Sequence, residues 1–282
     1  MSGDPLPKEH RYDAQAFALE GDLQLPLRAV IQRQAFVDLP GKGGYLSERA
    51  RDYRLEGVIS YRAAYTQVAG NRDPKPGHGY VTLATAVLED FNILDVVTAD
   101  RVVAQVSTEH PLDGDVPTVT FLGTRFDNLR IAGHPVRIDL DANFFGEKPG
   151  SDAPWSTSSG FRDRVAAQRE SIRRQTNLPA EIAERYNRLP SNPGPQESIE
   201  CSLVQHAEGS YPGRTFGHVI DIPHFGRVYL ATVRLVETRD PDTNAVISLF
   251  RLTMIEARMG CIGNGTVSGG TTITNGGKKG SG

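Results

Sequence analysis

Apolar and polar residues alternate along most of this chain with the two-residue period of β-strands. Residues 101–107 set Val102, Ala104 and Val106 against Arg101, Gln105 and Ser107, the pattern of a strand with one buried face. Residues 80–88 (YVTLATAVL) are apolar on both faces, which predicts a strand inside a sandwich. Strands are also predicted within 14–68 and at 116–121, 126–131 and 136–144, with Gly123, Gly133 and Pro135 as punctuation. A second series follows at 198–205, 217–222, 227–237 and 248–259. In the strand at 227–237, Tyr229, Ala231, Val233 and Leu235 are expected to share an inner face. Many short strands between turn residues predict a sandwich or barrel.

The period changes once. Residues 160–176 bring Phe161, Val165 and Ile172 near one face of a helix that Ser158 or Ser159 can cap. Ile182 and Tyr186, four apart, mark a second short helix at 180–189. The chain is therefore divided into a first sandwich part at 1–148, a helical insertion at 149–195, return strands at 196–261 and a flexible Gly-rich tail at 262–282. The fold expected is a mainly antiparallel, jelly-roll-like β-sandwich in which the insertion lies on its own domain.

Composition narrows the function classes. The 282 residues carry 31 Lys plus Arg against 34 Asp plus Glu, a formal charge of −3. Such a balance gives no global attraction to nucleic acid, and none is expected as a partner. No apolar run is long enough for a membrane span. The 29 Gly and 18 Pro fall mostly in turns, linkers and the tail, so they signal a many-stranded fold rather than disorder. Residues 1–15 hold no apolar stretch of the secretory type, so the sequence as written reads as cytosolic or as lacking its leader. Cys201 and Cys261 each end a predicted strand, and a disulfide between them is geometrically reasonable if those strands are neighbours. A bridge would place the protein in an oxidising compartment.

Candidate chemistry is sparse. His218, Asp221 and His224 could supply ligands to a divalent metal ion, with His206 or His78 as a further donor. On an extended strand the two histidines would stand about 20 Å apart, so a bend at Pro223 is required. Asp139 and Asp141 share a strand face and could act as an acid/base pair or hold calcium; the alternative is the solvated face of an edge strand. Asp240, Asp242 and Asn244 mimic the opening of a calcium loop, but Ala245 and Arg251 stand where that loop needs Gly and Glu, so a hairpin turn is expected. No nucleophile elbow and no phosphate-binding glycine motif occurs. Arg162, Arg164, Arg169, Arg173 and Arg174 are interspersed with Asp163 and Glu170, the mark of a solvated helix face.

Two stretches carry a family likeness. Residues 86–100 (AVLEDFNILDVVTAD) and 126–136 (FDNLRIAGHPV) resemble blocks of the bacterial surface proteins called choice-of-anchor P, over about residues 80–138. The resemblance implies an extracellular β-rich module and assigns no chemistry. Taken together, these readings lead to the expectation of a non-catalytic extracellular structural or interaction module. It would work without a cofactor, as a homo-oligomer or an envelope component. The alternative is a metal-dependent enzyme or small-ligand-binding sandwich built on His218 and His224.

Overall fold

The structure, a computed structural model, describes residues 10–75, 78–112, 114–150, 153–187, 189, 198–241, 244–260, 264–275 and 278–279. Its strands are β1 (His10–Arg11), β2 (Ala14–Leu25), β3 (Ala29–Gln34), β4 (Val37–Asp38), β5 (Gly44–Leu55), β6 (Ile59–Arg72), β7 (Tyr80–Ile93), β8 (Val97–His110), β9 (Thr118–Thr120), β10 (Arg125–Asp127), β11 (Arg130–Ile131) and β12 (His134–Leu140). After a short 3-10 turn (Trp155–Thr157) come helices α1 (Ser159–Arg173) and α2 (Ala180–Tyr186). The chain then returns as β13 (Ile199–Ser202), β14 (Val204–Gly209), β15 (Arg214–Phe216), β16 (Val219–Ile222), β17 (Gly226–Arg239), β18 (Val246–Met259), β19 (Asn264–Thr274) and β20 (Lys278–Lys279).

Apart from β1 and β20, which pair with each other as a two-stranded sheet, these strands make an antiparallel β-sandwich of two large sheets. The first sheet runs β14-β12-β11-β8-β7-β6-β5, with β9 and β10 also paired to β8. The second runs β15-β16-β17-β18-β19-β2-β3, with β13 on β17 and β4 on β2. Most neighbours are consecutive in the chain, so each sheet is largely a meander. The chain crosses between the sheets from β4 to β5, and the repeated alternation that marks a jelly roll runs from β12 through β15. The sheets stack with β2 over β6 and β7, and β19 over β7 and β8. Between them the alternate residues of both sheets form one apolar core.

Strand alternation resets along a transverse line in both sheets. In the second sheet the ladder passes over Ala18, Gly270, Met254 and Ala231, and consecutive residues such as Ala18–Leu19 and Met254–Ile255 are both buried. In the first sheet it passes over Asp52, Arg62, Asp90 and Asp100. Asp52, Asp90, Ala231 and Gly270 take positive φ there, as bulges require. The consequence reaches β17: Ala231, Val233 and Leu235 join the central core as expected, but Tyr229 packs on the opposite face with Ile172, Ile182, Tyr186 and Phe216. Glycine is needed at this line. A Cβ at Gly269 would lie 3.2 Å from Leu88 Cδ1 and 3.4 Å from Phe91 Cζ across the sandwich.

The helical insertion packs on the domain itself. Ser158 is the N-cap of α1, its hydroxyl accepting from the Phe161 amide. Phe161, Val165, Ile172, Ile182 and Tyr186 are all buried. Phe161 stacks on Phe145 at 4.5 Å, beside Trp155 and Phe250. The stretch around Trp155, ahead of the first helix, is an anchor: the Trp155 and Ser156 amides both donate to the buried Glu237 carboxylate, at 2.7 and 2.9 Å. Two of the helix arginines also turn inward. Arg164 donates to the Phe144 and Phe145 carbonyls, and Arg169 to the Glu200 carbonyl.

Two further expectations change. Residues 264–274, assigned to a flexible tail, form β19, which pairs with β18 on one side and β2 on the other. Its Val267, Thr271, Thr272 and Thr274 are buried, so small residues there reflect close packing. Cys201 is buried with Sγ against the Val233 carbonyl, and burial pushes its thiol pKa up. Cys261, and hence the Cys201–Cys261 pairing, lies outside the described residues.

Candidate functional site

The residues expected to form a metal centre are dispersed. His218 occupies the two-residue turn between β15 and β16 and is buried. Asp221 lies on β16 and accepts from Arg227 Nε at 3.1 Å. His224 is exposed in the turn before β17, at φ 64°. His206 is exposed beside Glu208, and His78 pairs with Glu109 at 3.0 Å on the other sheet. Among the described residues no three His, Cys, Asp or Glu side chains converge on a point where an ion could sit. The carboxylate pair divides in the same way. Asp139 takes Arg137 Nε at 3.2 Å, whereas Asp141 accepts from the Asn143 amide in the turn after β12. At the β17–β18 turn, Asp240 and Asn244 close a backbone hairpin, and Asp242 lies outside the described residues.

What surrounds His218 is more organised than its sequence neighbours suggested. Gly217 stands at φ 64°, and a Cβ there would come within 3.0 Å of Ile172 Cγ1. The glycine lets the hairpin enter under α1 and puts the imidazole into the helical layer. Its Nε2 lies 2.7 Å from the Tyr186 hydroxyl, with the rings edge to face at 5.2 Å. The hydroxyl in turn donates to Glu200 Oε1 at 3.2 Å. Glu200 also takes Arg185 Nε at 2.5 Å and Arg234 at 3.1 Å. Arg185 grips Glu256 in a two-bond fork at 2.9 Å each, and its guanidinium lies 3.9 Å above the Tyr229 ring.

Electrostatics fixes the protons of this chain. Burial alone would raise the Glu200 carboxyl, but Arg185 and Arg234 outweigh it and hold the pKa at about 2. Tyr186 is buried and its pKa pushed well up, so it keeps its proton. That single proton goes to the ionised Glu200, and the Tyr186 oxygen must accept from His218. His218 therefore carries its hydrogen on Nε2. Burial lowers its pKa to about 4, against the opposing pull of Glu200, so the ring is neutral at physiological pH. Nδ1 is left as a bare lone pair with no hydrogen-bond partner among the described residues.

Two hollows flank the chain of contacts. One, of about 490 Å³, lies between α1 and the β14–β16 segment and is lined by Gln168, Ser171, Gln175, Thr215 and His218. The other, of about 210 Å³, lies on the outer face of the second sheet among Arg234, Arg251, Arg258, Glu20 and Glu256. In the second hollow the charges are paired: Arg251 with Glu20, Arg258 with Glu256. Sequence reasoning singled out His218 and missed Tyr186, Arg185, Glu200 and Glu256. The one legible sign was a carboxylate inside the apolar run IECSLV, which needs a buried cation. Nothing in the sequence names that cation as Arg185.

A family model described as a domain of unknown function, DUF8256, matches residues 10–236. The match covers most of the chain, and the protein belongs to this family. No curated protein and no solved structure matches it.

Proposed function

We propose that this DUF8256 protein is a non-catalytic structural or interaction module of the cell exterior that assembles with copies of itself through the free edge of β5. The observation that carries the reading is the geometry of that strand. β5 is twelve residues long, ends its sheet, and pairs only with β6 among the described residues. It is exposed along most of its length, including Tyr45 at 62% and Leu46 at 40%. A long strand with one open backbone edge is a template for strand addition. Its charges are mixed, with Glu48 and Asp52 among Arg49, Arg51 and Arg54, so a second copy meets it without strong net repulsion. The opposite sheet ends in β3, which is half as long. The extracellular location rests on the resemblance of residues 80–138 to choice-of-anchor P proteins; those blocks form β7, β8 and β10–β12.

Light scattering over a concentration series tests this. The expected result is a concentration-dependent oligomer that the double substitution Tyr45→Lys with Leu46→Lys converts to a monomer of unchanged circular dichroism. A monodisperse monomer for the unaltered chain at high concentration overturns the proposal.

A further inference from the structure

Beyond assembly, we infer that the hollow on the outer face of the second sheet, walled by Arg234, Arg251 and Arg258, is a binding site for a tetrahedral oxyanion: a phosphate or sulfate group, free or as the monoester of a sugar. The side chains around this hollow have spent their acceptors and kept their donors. Glu20 divides its two oxygens between Arg33 and Arg251. Glu200 takes Arg185 and Tyr186 on one oxygen and Arg234 on the other. Both oxygens of Glu256 are held by Arg185, and one of them also takes Arg258. Every carboxylate oxygen that lines the hollow is thus occupied. By contrast, Arg234, Arg251 and Arg258 each use one of their five N–H donors in these contacts. Five arginines against three glutamates also leave a surplus of two positive charges. Asp22, on the same face of β2, takes the Gln24 amide and lies outside the hollow. Burial lowers the Arg251 pKa, and Arg234 and Arg33 add to that shift against the pull of Glu20 and Glu256, as expected where cations outnumber anions.

The shape of the hollow narrows the ligand. Its floor is made of short hydroxyl side chains set among the long ones, Thr232 and Thr253 on adjacent strands and Thr266 and Ser268 on β19. Thr266 and Ser268 make no side-chain hydrogen bond among the described residues. The Thr253 hydroxyl accepts from Thr271 and keeps its own proton to give. The guanidiniums are reachable from solvent, with Arg234, Arg251 and Arg258 side chains 46%, 34% and 50% exposed. An amine or a neutral hydroxyl would bring donors to a place already rich in them, so the ligand must be acceptor-only. Arg234 and Arg251 are cross-strand partners on one side of Thr253 along the sheet, and Arg258 stands on the other. Donors arranged around a group in this way suit a tetrahedral oxyanion better than a flat carboxylate, which takes one fork along one edge. The volume of about 210 Å³ is below that of sites enclosing whole small molecules. It therefore takes one charged group and leaves the rest of an ester outside.

The test is isothermal titration calorimetry on the full chain at pH 7 and constant ionic strength. The titrants are inorganic phosphate, inorganic sulfate, glucose 6-phosphate and glucose 6-sulfate, with acetate as comparison. The expected result is saturable binding of at least one of the four, about tenfold or more tighter than acetate. Equal affinity for ion and ester identifies the free ion as ligand, and tighter binding of an ester identifies the modified sugar; both support the site. Two variants are each expected to weaken binding by about tenfold or more. The first is Arg234→Gln with Arg258→Gln, which leaves Arg185 on Glu200 and Glu256. The second is Thr266→Glu, which sets a carboxylate across from Arg258 at an exposed position and needs no arginine removed. Arg62→Gln, on the other sheet, is expected to bind as the unaltered chain does. No saturable binding of any of the four up to about 20 mM overturns the inference, as does acetate binding equally well. Affinity unchanged in Thr266→Glu overturns it too.

Discussion

The Tyr186 hydroxyl stands 2.7 Å from His218 Nε2, and through it a residue of α2 fixes both the position and the proton of an imidazole on the β15–β16 hairpin. Replacing Tyr186 by Phe leaves a buried N–H without an acceptor and removes one donor from Glu200. Each such loss costs about 1–3 kcal/mol. Tyr186→Phe should therefore lower the urea midpoint by an amount in that range with an unchanged slope, measured by equilibrium unfolding.

Acid should destabilise the fold in two stages. His218 titrates near 6.5 when unfolded and at about 4 when folded. Between these values the unfolded chain binds a proton that the folded chain does not, so stability falls as pH falls. The loss is on the order of 3 kcal/mol and is complete below the folded value. Glu200, lowered from 4.5 to about 2, adds a second loss in that lower window. Unfolding free energies measured from pH 7 to pH 3 should show the first limb in the unaltered chain and a flatter curve in His218→Phe.

Removing one member of the buried ion cluster should cost more than removing a surface pair. Arg185 and Glu200 are each about 10% exposed, and Arg185→Met leaves Glu200 to Arg234 and Glu256 to Arg258, two arginines that are themselves about half exposed. The expected loss is about 3–5 kcal/mol. Arg174→Met, which breaks an exposed pair with Glu170 on α1, should change stability by less than about 1 kcal/mol. Thermal denaturation of the two variants side by side checks the contrast.

Deleting residues 264–282 should abolish folding rather than trim a tail. β19 separates β18 from β2, and its loss opens the second sheet through its middle. Loss of the cooperative melting transition is expected; a truncated protein that still melts cooperatively at a similar temperature contradicts the placement of β19.

The sandwich was legible because strand alternation is a local signal, and the core-facing residues of β8 and α1 follow from period alone. Tyr229 was misplaced because the bulge line shifts phase at Ala231, which no local pattern announces. The stretch 264–274 misled for a related reason: glycine and threonine suit a strand that another sheet approaches closely, yet in isolation the same residues read as a flexible end. The metal reading of His218, Asp221 and His224 followed from their nearness in sequence. A turn at each end of β16 sends the two imidazoles into different surroundings, one under the helices and one into solvent. Partners drawn from α2, β13 and β18 are long-range facts that spacing does not encode.

The most direct measurement is the nitrogen-15 spectrum of the histidine side chains at pH 5.5. The account predicts one ring, assigned to His218 by its absence in His218→Phe, that is neutral with its hydrogen on Nε2. A His218 ring that is doubly protonated at that pH, or that carries its hydrogen on Nδ1, contradicts the Tyr186–His218–Glu200 network.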